Sequence, residues 1–130
     1  MKIYCCGCLV DVEATLISGK EVYPHRQDLH NLPFWMCDCG LYVGCHHKTK
    51  NRTQPLGCIP TPEIKNARRH IHKILDPLWQ SGSYKRGKIY KIISEKIGRK
   101  HHTANIRSIE EARQVYKIIR DIANEPQTSN

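Results

Sequence analysis

The spacing of apolar residues changes character near residue 61 of this chain. Before that point they come in short alternating runs; after it they recur every three to four residues. In the first part, residues 2–4 enter as a short strand. Val10, Val12, Ala14 and Leu16 then alternate with Asp11 and Glu13, which predicts a strand over residues 9–17. Ser18-Gly19-Lys20 reads as a turn, and residues 21–23 as the returning partner strand. Residues 24–33 read as an irregular loop. Phe34-Trp35-Met36 and Leu41-Tyr42-Val43 predict a second strand pair, and residues 46–60, poor in apolar side chains, a crossing loop.

In the second part, Thr61-Pro62-Glu63 is a helix start: a hydroxyl cap, a proline in the first turn and a carboxylate near the positive end of the dipole. Ile64, Ala67, Ile71, Ile74, Leu75 and Leu78 make its apolar stripe, with Lys65, Arg68, Arg69, His72 and Lys73 on the other side. Asp76-Pro77 is expected to stop or kink the helix. Ser81-Gly82-Ser83 predicts a turn and a cap for a second helix, which places Ile89, Ile92, Ile93 and Ile97 inward and ends at Gly98. A basic loop over residues 99–107 leads to Ser108 and Glu111, spaced as a capping box. The last helix carries Ile109, Ala112, Val115, Tyr116, Ile119 and Ile122 on its apolar side, and residues 125–130 are expected to form a polar tail. The expected fold is α+β. A zinc ribbon-like hairpin module over residues 1–60 packs on a basic three-helix module over residues 61–130.

Chemistry enters through the cysteines. Cys5 and Cys8, then Cys37 and Cys39, form two short pairs separated by hairpin-sized sequence, the way a tetrahedral Zn²⁺ site is written into a chain. The first 60 residues hold too few large apolar side chains to close a core without such a staple. Seven cysteines is an odd number, and residues 1–4 hold no apolar segment of a secretory leader. Metal binding in a reducing cytoplasm is therefore expected over a disulfide framework. No run approaches the length of a membrane span. Four thiolates saturate the ion, so a structural zinc is expected rather than a hydrolytic one. Cys6 offers a second spacing to Cys8, and Cys45 with His46 could replace Cys39 or hold a second metal with Cys58.

Charge is uneven. Of 21 Lys and Arg, fifteen fall in residues 61–130, against seven of the 12 Asp and Glu. Zinc-bound thiolates make the first part slightly acidic, which leaves the basic character almost wholly in the helices. Lys65, Arg68, Arg69, Lys73, Lys85, Arg86, Lys88, Arg99 and Lys100 are the candidate partner or phosphate contacts. His46-His47 and His101-His102 raise a His-dependent nuclease as a runner-up, but no carboxylate completes a recognisable set. His70 and His72, two apart on a helix, point in different directions, one expected buried and one on the surface. Tyr23, Trp35 and Tyr42 are expected to form a miniature core beside the metal.

The run Phe34-Trp35-Met36-Cys37-Asp38-Cys39-Gly40-Leu41-Tyr42-Val43-Gly44-Cys45-His46, with Pro55-Leu56-Gly57 after it, is similar to a family of zinc-finger-containing proteins of bacteria and phages. The similarity continues through Glu63, Ala67-Arg68, His70 or His72, Asp76-Pro77-Leu78-Trp79, residues 90–97 and residues 102–106. It implies a zinc knuckle pair at Cys5, Cys8, Cys37 and Cys39, and no particular activity. The extra Cys6 leaves the ligand register open by one position. His102-Thr103-Ala104-Asn105-Ile106 stands where a Cys-His pair and a glycine are expected. Small cysteine-rich phage proteins include inhibitors of Cas9-type CRISPR nucleases. A non-enzymatic protein that binds nucleic acid or a host nucleoprotein is thus expected, in its sharpest form an anti-CRISPR inhibitor blocking DNA access. A direct DNA-binding accessory or regulatory protein is the alternative.

Overall fold

The computed structural model describes residues 1–124. Its chain divides into two compact units, the first spanning Met1–Pro62 and the second beginning at Glu63.

The first unit is built of two small antiparallel sheets. Strands β1 (Lys2–Cys5) and β2 (Val10–Glu13) form a hairpin, with Ile3 opposite Val12 and Cys5 opposite Val10. Strand β3 (Thr15–Ser18) pairs with β4 (Pro33–Met36), which pairs with β5 (Tyr42–Gly44). The single strand expected over residues 9–17 is thus two strands in different sheets. The break falls at Ala14, which is buried and donates its N–H to the Met1 carbonyl. The returning strand expected over residues 21–23 is instead a one-turn helix, α1 (Gly19–Val22). Gly19 explains the difference. Its N–H bonds the Leu32 carbonyl at 2.8 Å, and a Cβ there would lie 1.7 Å from the Leu29 oxygen. Only glycine lets the two backbones approach this closely, so β3 closes on β4 and not on residues 21–23.

Ile3, Cys5, Ala14, Cys37, Val43 and Ile59 form the buried centre of this unit, with Val12, Trp35 and Leu41 packed on it. Ile59 arrives from the end of the crossing loop: it bridges Cys5 in parallel and donates its N–H to Tyr4 O. Tyr23, Phe34 and Tyr42 make a mutually edge-to-face trio with centroids 5.8 Å apart. Trp35 Nε1 donates to Thr53 O at 2.7 Å. These contacts tie the end of α1, β4, β5 and the crossing loop to one another.

The second unit contains α2 (Pro62–Gln80), α3 (Arg86–Ile97) and α4 (Ile109–Asn124). Ile71, Leu75, Ile89, Ile93, Ile106, Ala112, Val115, Ile119 and Ile122 form one apolar core. Of the stop or kink expected at Pro77, the stop does not occur, since α2 runs on to Gln80. A proline near the last turn removes one backbone bond, and Leu78 and Trp79 beyond it pack on the core and keep the turn helical. Ser83 does not cap α3, whose N-cap is Lys85 with no side-chain bond. The serines serve the turn instead, Ser81 Oγ bonding both the Ser83 hydroxyl and its N–H. Gly98 ends α3 at φ 79°, in the left-handed conformation that favours glycine, and Ser94 O accepts the N–H groups of Gly98 and Arg99. Ser108 Oγ accepts the Glu111 N–H at 3.1 Å. The Glu111 carboxylate reaches past Ser108 to the Arg107 N–H and to Arg99, so the capping box is formed one residue wider than its sequence suggests.

Candidate functional site

Two tight turns bring four sulfurs to one place. The first lies between β1 and β2, where Leu9 N–H bonds Cys5 O at 2.8 Å. The second lies between β4 and β5, where Gly40 N–H bonds Cys37 O at 2.9 Å and Cys37 N–H bonds Leu41 O at 2.8 Å. Each turn is closed by a left-handed residue directly after its second cysteine: Leu9 at φ 61° and Gly40 at φ 93°. Gly40 takes that conformation without strain, whereas Leu9 takes it at some cost.

The Sγ atoms of Cys5, Cys8, Cys37 and Cys39 all lie within 4.8 Å of one another. Cys5 Sγ is 3.7 Å from Cys39 Sγ, and Cys8 Sγ is 3.7 Å from Cys37 Sγ. A zinc tetrathiolate with Zn–S bonds of about 2.3 Å has tetrahedron edges of about 3.8 Å. Two of the sulfur pairs therefore stand at the separation the metal requires, and the others lie within about 1 Å above it or closer. Cys5 and Cys37 are buried, and Cys8 and Cys39 face solvent. Protons are shared unevenly among the free thiols. Cys8 is pushed up to about 12, chiefly by its hydrogen bond with Cys37 and then by those with Cys39 and Cys5. Cys37 is lowered, first by the Cys39 backbone N–H. Cys39 is raised: burial and its bonds with Cys37 and Cys5 outweigh the lowering effect of the Leu41 N–H. A dication bound here would displace these shared protons and be held by the thiolates of Cys5, Cys8, Cys37 and Cys39. The donor set fits a structural zinc, with no ligand position left over.

The auxiliary candidates lie outside this cluster. Cys6 is buried, and its N–H bonds Ile59 O at 2.8 Å. Cys45 is buried beside β5, where burial pushes its thiol up. His46 is exposed. Among the described residues, the four-cysteine set is the one group of three or more ligand-type side chains brought together.

The structure separates the cationic candidates. Lys65, Arg69 and Lys73 on α2, Lys85 before α3, and Arg86 and Lys88 on α3 are exposed, as are Arg99 and Lys100. Arg68 is not on that surface. It is buried, and its Nε and Nη2 donate to Ile106 O at 3.2 and 2.7 Å. Its long stem and five donors suit an interior carbonyl as well as a phosphate, and helical spacing alone does not distinguish the two. Arg99 pairs with Glu111. Sequence reasoning did not single out Lys96, Arg107, Arg113, Lys117 and Arg120, all exposed as well.

The histidines also differ from expectation. His70 is exposed, and half-exposed His72 lies 3.5 Å from Asp76, so neither is the buried one. The interior histidine is His101, 3% exposed, stacked on Tyr90 with centroids 5.6 Å apart. Its N–H donates to Ser94 Oγ at 2.8 Å, and its Nε2 lies 3.2 Å from Thr103 Oγ1. Burial, then the charges of His102, Arg99 and His72, depress it from 6.5 to about 4. Between those values the unfolded chain binds more protons than the folded one. Stability is thus fully present above pH 6.5 and falls as pH drops toward 4, by about 1–2 kcal/mol at pH 5. Imidazole proton shifts followed by NMR should show a His101 midpoint near pH 4, and His101→Phe should flatten the stability profile. A midpoint at 6.5 would contradict the effect of burial.

Among the described residues no helix is long and apolar enough to cross a membrane. Neither curated proteins nor solved structures gave a match to the chain. A family model does match, over residues 2–125, and those bounds take in both cysteine knuckles and the three long helices. The chain belongs to the zinc-finger-containing domain family.

Proposed function

We propose that this is a non-enzymatic, zinc-stabilised binding protein that takes nucleic acid on the cationic helices of its second unit. One observation carries the reading: of the fifteen Lys and Arg in residues 61–130, Arg68 alone is buried and fourteen face solvent. Seven acidic residues share the same stretch, and one of them, Glu111, is already paired with Arg99. Such an excess attracts polyanions and releases their counterions on contact. The zinc centre shapes the first unit and takes no part in chemistry, because four thiolates leave it no open position.

Binding to a labelled oligonucleotide should weaken steeply with salt, with a log–log slope of about −4 if four to five phosphates are neutralised. Arg69→Glu, Lys73→Glu and Lys88→Glu together should weaken it about 100-fold with the helical circular dichroism unchanged. Absence of binding at 50 mM salt would remove nucleic acid as the direct partner. Co-purification with a nucleoprotein such as a Cas9-type nuclease, without affinity for free DNA, would assign the same helices to a protein surface. Turnover of the oligonucleotide in Mg²⁺ would contradict the non-enzymatic reading.

A further inference from the structure

We propose that a hollow between α3 and residues 100–102 is a seat for a phosphomonoester group. The proposal rests on the nucleic-acid reading above for the group's carrier, the phosphorylated end of a strand. The hollow encloses about 390 Å³, within the range of small-ligand sites. One wall is a single face of α3, formed by Arg86, Gly87, Tyr90, Lys91 and Ser94, and the other is the Lys100-His101-His102 segment. Arg86, Lys91 and Lys100 put three cationic residues in the lining of this one depression, and His102 lines it as well. No carboxylate lines it. Arg99, directly beside the segment, has Glu111 to offset its charge. Among the described residues, no ion pair with a carboxylate offsets Arg86, Lys91 or Lys100.

The walls are held in place before any ligand arrives. Ser94 Oγ donates to Tyr90 O at 2.7 Å and accepts the His101 N–H, which ties the loop segment to the helix. The Arg86 guanidinium lies 5.0 Å from the Tyr90 ring centroid and 5.7 Å from that of Trp79. Tyr90 is thus engaged by both Arg86 and His101, which leaves charge, and not base stacking, as the attraction the hollow offers. A backbone diester carries one negative charge. A monoester carries about 1.5 to 2 at neutral pH and presents three acceptor oxygens, the better complement to a hollow with three cationic residues in its lining. Gly87 lines the hollow, and the space over its Cα is free, since a Cβ at that position would meet nothing within 4 Å.

The test compares one oligonucleotide sequence carrying a 5′-phosphate, a 3′-phosphate or only hydroxyl ends, with AMP and adenosine as the free pair. A phosphorylated strand should bind about tenfold tighter than its hydroxyl counterpart, and AMP should displace it where adenosine does not. Gly87→Met narrows the hollow without changing charge, and Lys91→Ser with Lys100→Ser removes two of its cations. Each should reduce the phosphate preference to about twofold or less. Equal binding of phosphorylated and hydroxyl ends, with AMP no better than adenosine, overturns the seat while the nucleic-acid reading stands. A phosphate preference that survives Gly87→Met overturns it too. Binding of AMP over adenosine with no strand bound at all keeps the seat, transfers it to free nucleotides and removes the nucleic-acid reading.

Discussion

Stripping zinc with a strong chelator should unfold residues 1–62 and leave the helical circular dichroism of the second unit largely in place. Two of the six buried residues at the centre of the first unit, Cys5 and Cys37, also belong to the four-cysteine set that fits zinc. Loss of the ion therefore removes charge compensation and core packing at once. The remaining apolar centre is small, chiefly Ile3, Ala14, Val43 and Ile59, and does not hold five short strands together unaided. Apparent binding free energies for structural zinc run to about 10 kcal/mol or more, larger than the stability of many small domains. Elemental analysis should give one zinc per chain. Cys37→Ser should abolish binding, expose residues 1–62 to proteolysis and collapse their amide dispersion. Cys6→Ser, Cys45→Ser and Cys58→Ser should each keep the full zinc content, because these sulfurs lie outside the tetrahedral set. Zinc retained in Cys5→Ser but lost in Cys6→Ser would mean that the ligand register had been assigned one place wrong.

Much of this was legible in the chain because its signals are local. A cysteine pair with one or two residues between its members closes a knuckle whatever surrounds it, so Cys5, Cys8, Cys37 and Cys39 could be named together before any coordinates. Gly98 likewise announced the end of α3, since a left-handed residue is needed there and glycine takes that conformation without strain. The errors were non-local. Period-two alternation over residues 9–17 is a true strand signal, but it does not say that the chain changes sheets at Ala14, a switch made by partners as distant as Met1 and Met36. Residues 21–23 gave way to a close backbone approach between Gly19 and Leu29 that no local pattern encodes. His101 looked like part of a basic loop, and only the fold places it on Tyr90 and out of water.

Arg68→Met should destabilise the second unit by about 2–3 kcal/mol and lower its melting temperature by about 10–20 °C. Arg68 looked the same from the sequence as its neighbour Arg69: a cation on the polar side of an amphipathic helix. In the structure the two differ completely. Arg69 is exposed, whereas Arg68 is 9% exposed and sends two N–H groups into the carbonyl of Ile106, itself fully buried. That fork fastens the 99–107 loop to α2, and with it the segment that carries His101 and Thr103. Methionine conserves most of the stem but leaves the Ile106 oxygen without its charged donors, which costs more than loss of a surface contact. Arg68→Lys keeps the charge, loses the planar fork and should fall between the two. Arg68→Glu would place a carboxylate against a carbonyl and unfold the helices, so a loss of DNA binding in that variant would report folding and not recognition. The charge test of nucleic-acid binding accordingly belongs on Arg69, Lys73 and Lys88, all of them exposed. Thermal melting followed at 222 nm decides the matter. A change below about 0.5 kcal/mol in Arg68→Met would show that the Ile106 carbonyl finds another donor and that the loop is held by its apolar contacts alone.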